Sequence, residues 1–434
     1  MGNQLTQLTN SEFLYLNGEV EVVSGYKSGI IYDFGSEKIY KISKKMAELF
    51  NSLIPCKTDL WLSELGKHCN TDKAQTFMRF LIEKGILGHK KPLRTFDIAD
   101  YKINKYITKC NIELLTRCSF ECPHCYLENK KDGAFLDLEK LSEIIRDIAQ
   151  MGCRELELTG GDIFLRNDII EICQRAKNSG IENINLLTNG YHLNDNLLTE
   201  LARLNVRTSL TFYGMSNETY SKFTPLSNAF EIVVENAKKM IKKGMVVNFK
   251  YPLMSQTYDE VYRFIEFSES TNGKNYGISG LWPAGKAKDK MNELDIPNDK
   301  WRRIEDFTKD QKELYLSKFP SLYSCIPTHL TILSDGNVSF CLLKERGKDY
   351  FGNIYQSSIK EIFQRDAFKK WFEGLFITNN SQKCQRCEYK YMCGGDCPLR
   401  GFAESKTSDL AVLNAGYPNC NRYKYKYSAL SDKG

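Results

Sequence analysis

The chain has 434 residues, with 60 Lys and Arg against 54 Asp and Glu, a formal net charge of +6, and 15 cysteines. This length allows two or three domains, and so small a basic excess does not indicate nucleic-acid binding. Because the sequence has no long apolar run and no secretory signal, we expect a cytoplasmic protein with no membrane partner. In a reducing cytosol, clustered cysteines predict metal ligands or catalytic groups.

Residues 1–92 are predicted to form a small domain of strands followed by helices. The sequence predicts strands over 13–42 with turns at three glycines, then two helices: Gly25, Gly29 and Gly35; 43–51 and 71–84. This order resembles a winged helix. Such a domain can bind a peptide as an added strand at its edge, although a purely structural appendage is equally compatible with the pattern.

Strand-like and helical patterns alternate over residues 105–315. The first helix shows the signal, because apolar residues recur at helical spacing from Leu138 to Met151, with Asp137 placed to cap it and Gly152 to end it. The predicted strands are 112–115, 155–159, 184–188, 206–212, 245–251 and 276–282. Helices are predicted at 169–177, 195–204, 230–242, 258–270 and 300–313. Six such units predict a parallel α/β sheet, either doubly wound or curled into a barrel.

Three cysteines follow the first of these strands. Cys118, Cys122 and Cys125 have C-x3-C-x2-C spacing, with no fourth cysteine close behind. Three thiolates can hold a four-iron cluster and leave one iron open to an exchangeable ligand, which indicates chemistry rather than scaffolding. The carboxyl ends of parallel strands carry the site in such folds, so we expect the cysteines there.

Two further turn-like segments follow the next strands. Gly160 and Gly161 come after the strand ending at Thr159, and Asn189 and Gly190 follow the strand ending at Thr188. Each pair by itself is most often a turn. Their shared position at successive strand ends places them on the same rim as the three cysteines, where glycine amides can approach a ligand closely.

The region 316–434 has a different texture, rich in Gly, Pro and Cys. Seven of its cysteines are candidate metal ligands: Cys325, Cys341, Cys384, Cys387, Cys393, Cys397 and Cys420. The C-x2-C pair within this set also fits a structural zinc site, so zinc remains an alternative at this point. The isolated cysteines 56, 69, 110, 153 and 173 are interpreted as small buried apolar residues.

These motifs together resemble the radical S-adenosylmethionine (SAM) enzymes over about residues 111–313, and the later cysteines resemble the SPASM extension. The N-terminal domain is similar to PqqD-type precursor-recognition domains. The resemblance implies an α/β fold with a partial (β/α)6 TIM-type barrel, an N-terminal winged-helix-like domain and a C-terminal Cys-rich iron-sulfur domain. It also implies three 4Fe-4S clusters, one that binds SAM and two auxiliary.

The resemblance implies roles for individual residues. Cys118, Cys122 and Cys125 would hold the cluster whose open iron binds SAM, and Tyr126 would lie near the adenine. Gly160, Gly161 and Asp162 would hold the methionine amino group, and Asn189 and Ser209 would contact SAM at strand ends. Asp162 replaces the more usual Glu and is shorter, so a bridging water is an alternative to a direct bond.

In the extension, the family pattern assigns Cys384, Cys387, Cys393 and Cys420 to one auxiliary cluster. It assigns Cys325, Cys341 and Cys397 to the other, which lacks an evident fourth cysteine. An open iron there could bind a substrate thiolate, and a non-cysteine ligand or one of the isolated cysteines is the alternative.

The function implied by the resemblance is maturation of a ribosomally made precursor peptide. A 5'-deoxyadenosyl radical would remove a substrate hydrogen, and a cysteine thioether would form, as in sactipeptide or ranthipeptide synthases. The partners expected are the precursor, whose leader binds the N-terminal domain, and a reductant such as flavodoxin or ferredoxin. The alternatives are carbon-carbon or carbon-oxygen crosslinking, formylglycine formation in a sulfatase, and a zinc-binding interaction protein.

Overall fold

The computed structural model describes residues 12–36, 38–92, 107–127, 133–273, 275–307, 329–343, 350–374 and 382–393. The N-terminal domain comprises β1 (Phe13–Leu16), β2 (Val20–Ser24), β3 (Ser28–Asp33), β4 (Lys38–Ser43), α1 (Lys44–Leu53), β5 (Cys56–Lys57), α2 (Thr58–Gly66), α3 (Thr71–Glu83) and β6 (Leu87–Gly88). Strands β2, β3 and β4 form an antiparallel sheet, and β1 pairs with β5 and β6. The helices pack on one face of the sheet around buried Phe50, Trp61 and Met78.

One prediction for this domain was wrong. Gly29 lies inside β3 and not in a turn. A Cβ atom there would lie 2.3 Å from the Cβ of Ala47 in α1, so the glycine allows the helix to approach the sheet closely. Helix α2 was missed, although it contributes the fully buried Trp61.

The middle of the chain forms the alternating unit that the sequence predicts. Its elements are β7 (Lys109–Glu113), α4 (Leu138–Gln150), β8 (Glu155–Thr159), α5 (Ile169–Asn178), β9 (Asn183–Thr188), α6 (Asp195–Arg203), β10 (Arg207–Thr211), α7 (Asn217–Tyr220), α8 (Ala229–Lys242), β11 (Val247–Pro252), α9 (Val261–Asn272), β12 (Tyr276–Ser279), α10 (Met291–Leu294) and α11 (Asn298–Phe307). Strands β7 to β12 are parallel and adjacent in chain order. This is the α/β topology expected of a partial barrel.

Helix α4 shows how the sequence specifies these units. The carboxylate of Asp137 accepts a hydrogen bond of 2.8 Å from the amide of Lys140, as the capping pattern predicts. The apolar stripe from Leu141 to Ile148 is buried against the sheet. Gly152 ends the turn with a positive φ of 98°, a conformation that side chains other than glycine rarely adopt.

The C-terminal region continues the barrel sheet. Its elements are β13 (His329–Ile332), β14 (Asn337–Ser339), β15 (Gly352–Asn353), α12 (Ile359–Gln364), α13 (Asp366–Gly374), α14 (Gln382–Gln385) and α15 (Lys390–Cys393). Strand β13 pairs in parallel with β7, and β14 and β15 extend the sheet as antiparallel strands. At the seam, the buried carboxylate of Glu113 accepts a hydrogen bond of 2.6 Å from the hydroxyl of Ser334. Across the described ranges, no helix is long and apolar enough to cross a membrane.

Candidate functional site

The three cysteines of the loop 118–125, called the cysteine loop below, line one cavity of about 260 Å³. The cavity lies at the carboxyl ends of the parallel strands, as the sequence predicts. Tyr126, Gly160, Gly161 and Asn189 also line it. The structure therefore brings together seven of the residues proposed for the SAM site, from three segments that are distant in the sequence.

Gly160 and Gly161 hold the backbone that leads into the cysteine loop. The amide of Gly161 donates to the carbonyl of Leu115 at 2.9 Å, and the amide of Asp162 donates to the carbonyl of Arg117 at 2.9 Å. A Cβ atom on Gly161 would lie 2.1 Å from the Arg117 carbonyl oxygen. These two amides thus bind the protein itself, and the glycine at position 161 is required for the close backbone approach.

The sulfur of Cys118 receives two N–H groups. The amide of Phe120 lies 3.3 Å from it, and the side-chain nitrogen of Asn189 lies 3.8 Å from it. Donors of this kind stabilise thiolate ligands and tune the potential of an iron-sulfur cluster. Among the described residues, no group of three or more His, Cys, Asp or Glu side chains is arranged to hold one metal ion.

An aromatic shell surrounds the cysteine loop. The ring of Tyr213 lies 5.7 Å from that of Phe120, 5.7 Å from that of His124 and 5.2 Å from that of Phe223. Burial raises the pKa of the Tyr213 phenol well above its usual value, and the nearby cysteine thiols, Cys122 first, raise it further. The phenol thus stays protonated beside the three cysteines.

Tyr126 lies at the end of the cysteine loop and contributes to the cavity wall. Its hydroxyl oxygen is buried. Burial raises the pKa of Tyr126 well above its usual value, with further increases from the carboxylate of Glu113 and the thiol of Cys125. The chain after Cys125 is fixed from the far side of the barrel, because the amide of Lys286 donates to the Cys125 carbonyl at 2.9 Å. Tyr126 therefore lines the cavity at a fixed position, and its contact with the adenine of SAM stays a prediction.

Asp162 lies beside the cavity without lining it, and its contact with SAM stays a prediction. It begins a short 3-10 helix, and its carboxylate turns back to accept a hydrogen bond of 3.3 Å from the amide of Phe164. The other carboxylate oxygen lies 3.9 Å from Nε2 of His192, which is 3.1 Å from the hydroxyl of Ser119. Burial raises the pKa of Asp162, and His192 opposes that increase. Asp162 therefore supports the cysteine loop from beneath.

Ser209 lies deeper in the barrel, and its contact with SAM also stays a prediction. Its hydroxyl donates to the side chain of Asn185 at 3.3 Å inside the barrel, and it does not line the cavity. Thr211, two residues later on the same face of β10, does line it. Two residues along a strand correspond to about 6.6 Å, so Ser209 lies one layer below the rim. Below the rim the interior is polar, with Glu157 contacting both Lys109 and Asn185.

Several cavity residues were missed by sequence reasoning. They are mostly at or just beyond strand ends: Thr159, Thr188, Thr211, Tyr213, Pro252, Ser279, Gly280, Leu281 and Trp282. The signal that could have found them is positional, because each follows from extending the strand-end rule to all six parallel strands.

The C-terminal cysteines are described only in part. Cys341 follows β14, and its sulfur accepts a hydrogen bond of 3.4 Å from the amide of Leu343, which lines the cavity. One candidate auxiliary ligand thus lies two residues from the cavity wall. Cys384 and Cys387 are half-buried and adjacent, with a backbone hydrogen bond of 3.1 Å between them. Cys393 is described as the end of α15, and three cysteines lie outside the described residues: Cys325, Cys397 and Cys420.

Comparison with protein families identifies two domains. The model of the radical SAM superfamily matches residues 112–268, and the model of SPASM, an iron-sulfur cluster-binding domain, matches residues 325–388. The chain therefore contains a radical SAM domain with its partial-barrel fold and a C-terminal SPASM domain. These domains indicate the use of SAM, a 4Fe-4S cluster that binds SAM, and auxiliary clusters. The C-x2-C pair lies in the SPASM match, which favours iron-sulfur over zinc there.

Curated relatives share this machinery over part of their length. The chain is 30% identical over 199 residues to a probable GTP 3',8-cyclase of Saccharolobus solfataricus, covering 45% of this chain and 63% of the relative. It thus spans just under two thirds of the length of that relative. An AdoMet-dependent heme synthase of Methanosarcina barkeri is 24% identical and is covered over 91% of its length, against 67% of this chain.

Solved structures show the same fold. SuiB of Streptococcus suis bound to S-adenosylmethionine superposes with a TM-score of 0.58 and 13% identity, covering 92% of this chain and 98% of SuiB. Native anSMEcpe with bound AdoMet has a TM-score of 0.59 and 17% identity, covering 74% of this chain and 96% of that chain. At these identities the similarity establishes the architecture alone.

Proposed function

We propose that this protein is a radical SAM maturase that modifies a ribosomally synthesised precursor peptide. The crosslink that we propose is a cysteine thioether. The observation that carries the proposal is the N-terminal domain, which presents an open strand edge and is packed against the cluster-bearing C-terminal region. A domain of this kind suits a peptide substrate, because an extended chain can add to the free edge of a sheet.

Strand β4 is the free edge of the N-terminal sheet. Among the described residues, no strand pairs with its outer side. The opposite edge strand, β2, is next to the C-terminal region, where Glu21 contacts Lys390 and Tyr391 at 2.8 Å and 2.7 Å. A leader peptide would therefore add to β4.

The groove between β4 and α3 has a chemistry that suits an acidic, amphipathic leader. Its floor contains the half-buried rings of Tyr40 and Phe80, which lie 5.7 Å apart. Lys38, on the same face of β4 as Tyr40, and Lys41, on the opposite face of the same edge strand, are both exposed. The ammonium group of Lys84 lies 5.8 Å from the Phe80 ring centroid. Apolar leader residues would cover the rings while acidic residues meet the lysines.

When bound, the SAM cluster supplies a 5'-deoxyadenosyl radical, and the auxiliary clusters supply an acceptor for the remaining electron. Thioether formation removes a hydrogen atom from a substrate carbon. The cysteine thiol of the substrate loses a proton, and one electron leaves as the carbon-sulfur bond forms. The aromatic shell and the cavity beside the cysteine loop would hold the reacting carbon in place. Structures of SuiB with precursor peptide SuiA and of anSMEcpe with peptides have been solved on this fold, which supports a peptide substrate.

The test is anaerobic incubation of the reconstituted enzyme with SAM, a reductant such as flavodoxin or dithionite, and candidate precursor peptides, chosen as short cysteine-containing reading frames in the neighbourhood of its gene. We expect the peptide to lose two hydrogens and one alkylatable thiol, with formation of 5'-deoxyadenosine. Loss of two hydrogens with all thiols still alkylatable would instead indicate a carbon-carbon or carbon-oxygen crosslink. An aldehyde that reacts with hydrazide would indicate formylglycine formation.

Leader binding is tested separately. Replacing Lys41 with Glu on β4 should weaken peptide binding at least tenfold, because it reverses a charge beside the proposed strand. Replacing Lys67 with Glu, on the exposed end of α2, provides a control with the same charge change away from the groove. Equal peptide affinity in the two variants would contradict leader binding at β4.

A further inference from the structure

A buried carboxylate joins the C-terminal region to the N-terminal domain. Glu388 directly follows Cys387 and is 4% exposed. Its side chain accepts hydrogen bonds from the amides of Tyr26, Lys27 and Ser28 at 3.0, 3.3 and 3.3 Å, and from the hydroxyl of Ser28 at 3.3 Å. These donors lie at the turn between β2 and β3, 360 to 362 positions earlier in the chain.

The carboxylate is held by neutral donors. Within the described ranges, no lysine, arginine or histidine forms an ion pair with Glu388. Consecutive backbone amides that converge on one anion form a nest, which compensates a buried negative charge by dipoles alone. The turn is shaped for this contact, because a Cβ atom on Gly25 would lie 2.0 Å from a Glu388 carboxylate oxygen and 2.4 Å from its Cβ. The main chain contributes too, since the Tyr32 hydroxyl donates to the Glu388 carbonyl.

The segment 382–393, called the auxiliary segment below, has little regular structure of its own. It consists of two four-residue helices joined by a short link. Its buried ring, Tyr391, packs on Tyr32 and Phe34 of the N-terminal domain at centroid distances of 5.1 and 5.2 Å. The face of the N-terminal sheet opposite its helices is thus the surface on which the auxiliary segment rests.

We propose that Glu388 is a positioning residue that fixes Cys384 and Cys387 for their cluster by docking the auxiliary segment on the 25–28 turn. Loading of that cluster therefore depends on the N-terminal domain. Conversely, the loaded cluster orders the 25–28 turn. The proposal requires the SPASM cluster at these cysteines and does not depend on the identity of the peptide product.

The first test compares Glu388→Gln and Gly25→Ala with the wild-type protein after anaerobic reconstitution. Both should lose one cluster, about four irons per chain, together with its electron paramagnetic resonance signal. Formation of 5'-deoxyadenosine without peptide should stay within about twofold of wild type, because the cysteine loop is not touched. Gly66→Ala is the matched control, since nothing lies within 4 Å of a Cβ atom at that position. Full iron content and an unchanged signal in both variants would overturn the proposal.

The second test uses the wild-type chain and so does not depend on how the variants fold. Because coupling is reciprocal, removal of the clusters by a chelator should speed hydrogen exchange at the amides of Tyr26, Lys27 and Ser28 at least tenfold. Amides in α2 of the same domain should not change. Unchanged exchange in the turn would show that cluster and turn are independent. Peptide crosslinking could fail while both tests succeed, so the two proposals are separable.

Discussion

The cysteine loop and the auxiliary segment are both short cysteine-bearing stretches, but they are supported in different ways. The cysteine loop is held by neighbours within its own barrel, through the backbone of Gly161 and the rings of Tyr213 and Phe223. The auxiliary segment is held by a domain at the other end of the chain, through Glu388 and Tyr391. The cysteine loop is therefore positioned by the folding of the barrel alone, whereas the auxiliary segment is positioned only when the C-terminal region packs on the N-terminal domain.

The largest expected effect removes the ligands of the cysteine loop. Replacing Cys118, Cys122 and Cys125 together with Ala should abolish formation of 5'-deoxyadenosine, because SAM cleavage requires the cluster. The auxiliary segment should keep its cluster, because its contacts lie elsewhere. Product formation is measured by chromatography, with Cys173→Ala as a control that changes a fully buried thiol remote from the cavity. Persistent 5'-deoxyadenosine in the triple variant would exclude the assigned ligands.

The next effect perturbs the loop without touching a cysteine. Gly161→Ala would place a Cβ atom 2.1 Å from the Arg117 carbonyl oxygen, so the loop backbone must move. We expect at least a tenfold fall in uncoupled SAM cleavage. Gly277→Ala in β12 is the control, since its nearest neighbouring atom would be 3.6 Å away. Equal activity of the two variants would mean that the close approach at Gly161 is dispensable.

The third prediction concerns the auxiliary segment instead of the cysteine loop. Tyr391→Ala removes a ring that is 2% exposed and leaves a cavity against Tyr32 and Phe34. Such truncations cost about 3 kcal/mol of unfolding free energy. Denaturant unfolding should show the loss in the N-terminal domain, while uncoupled SAM cleavage persists. If SAM cleavage falls in proportion to stability, the two regions are not independently supported.

The smallest effect concerns the seam where the C-terminal region joins the barrel. Burial and the nearby charge of Lys109 lower the pKa of His329 to about 4, against 6.5 in the unfolded chain. The unfolded state therefore binds the proton more readily, and stability should fall as pH decreases from 6.5 towards 4. Between pH 6.5 and 5 the loss is about 2 kcal/mol. His329→Gln should flatten this part of the pH profile of thermal unfolding, and an unchanged slope would assign it to other groups.

Much of the barrel could be predicted because its signals are local. Apolar periodicity and the Asp137 cap define α4, and the order of strands and helices defines the parallel sheet. The cysteine spacing and the glycine pair indicated the cavity rim for the same reason. Asp162 and Ser209 do not line the cavity, and residue type alone does not predict the depth of a side chain along a strand or turn.

The sequence by itself determined the chemistry and the topology: three cysteines at cluster spacing, strand-end positions on one rim, and a second cysteine set in a separate region. Only the tertiary structure decided what supports that second set. The hydrogen bonds of the Glu388 side chain join residues 360 to 362 positions apart, and neither end has a periodic or spacing signal. Such contacts arise when separately patterned domains pack together, so the dependence of the auxiliary segment on the N-terminal turn is visible only in three dimensions.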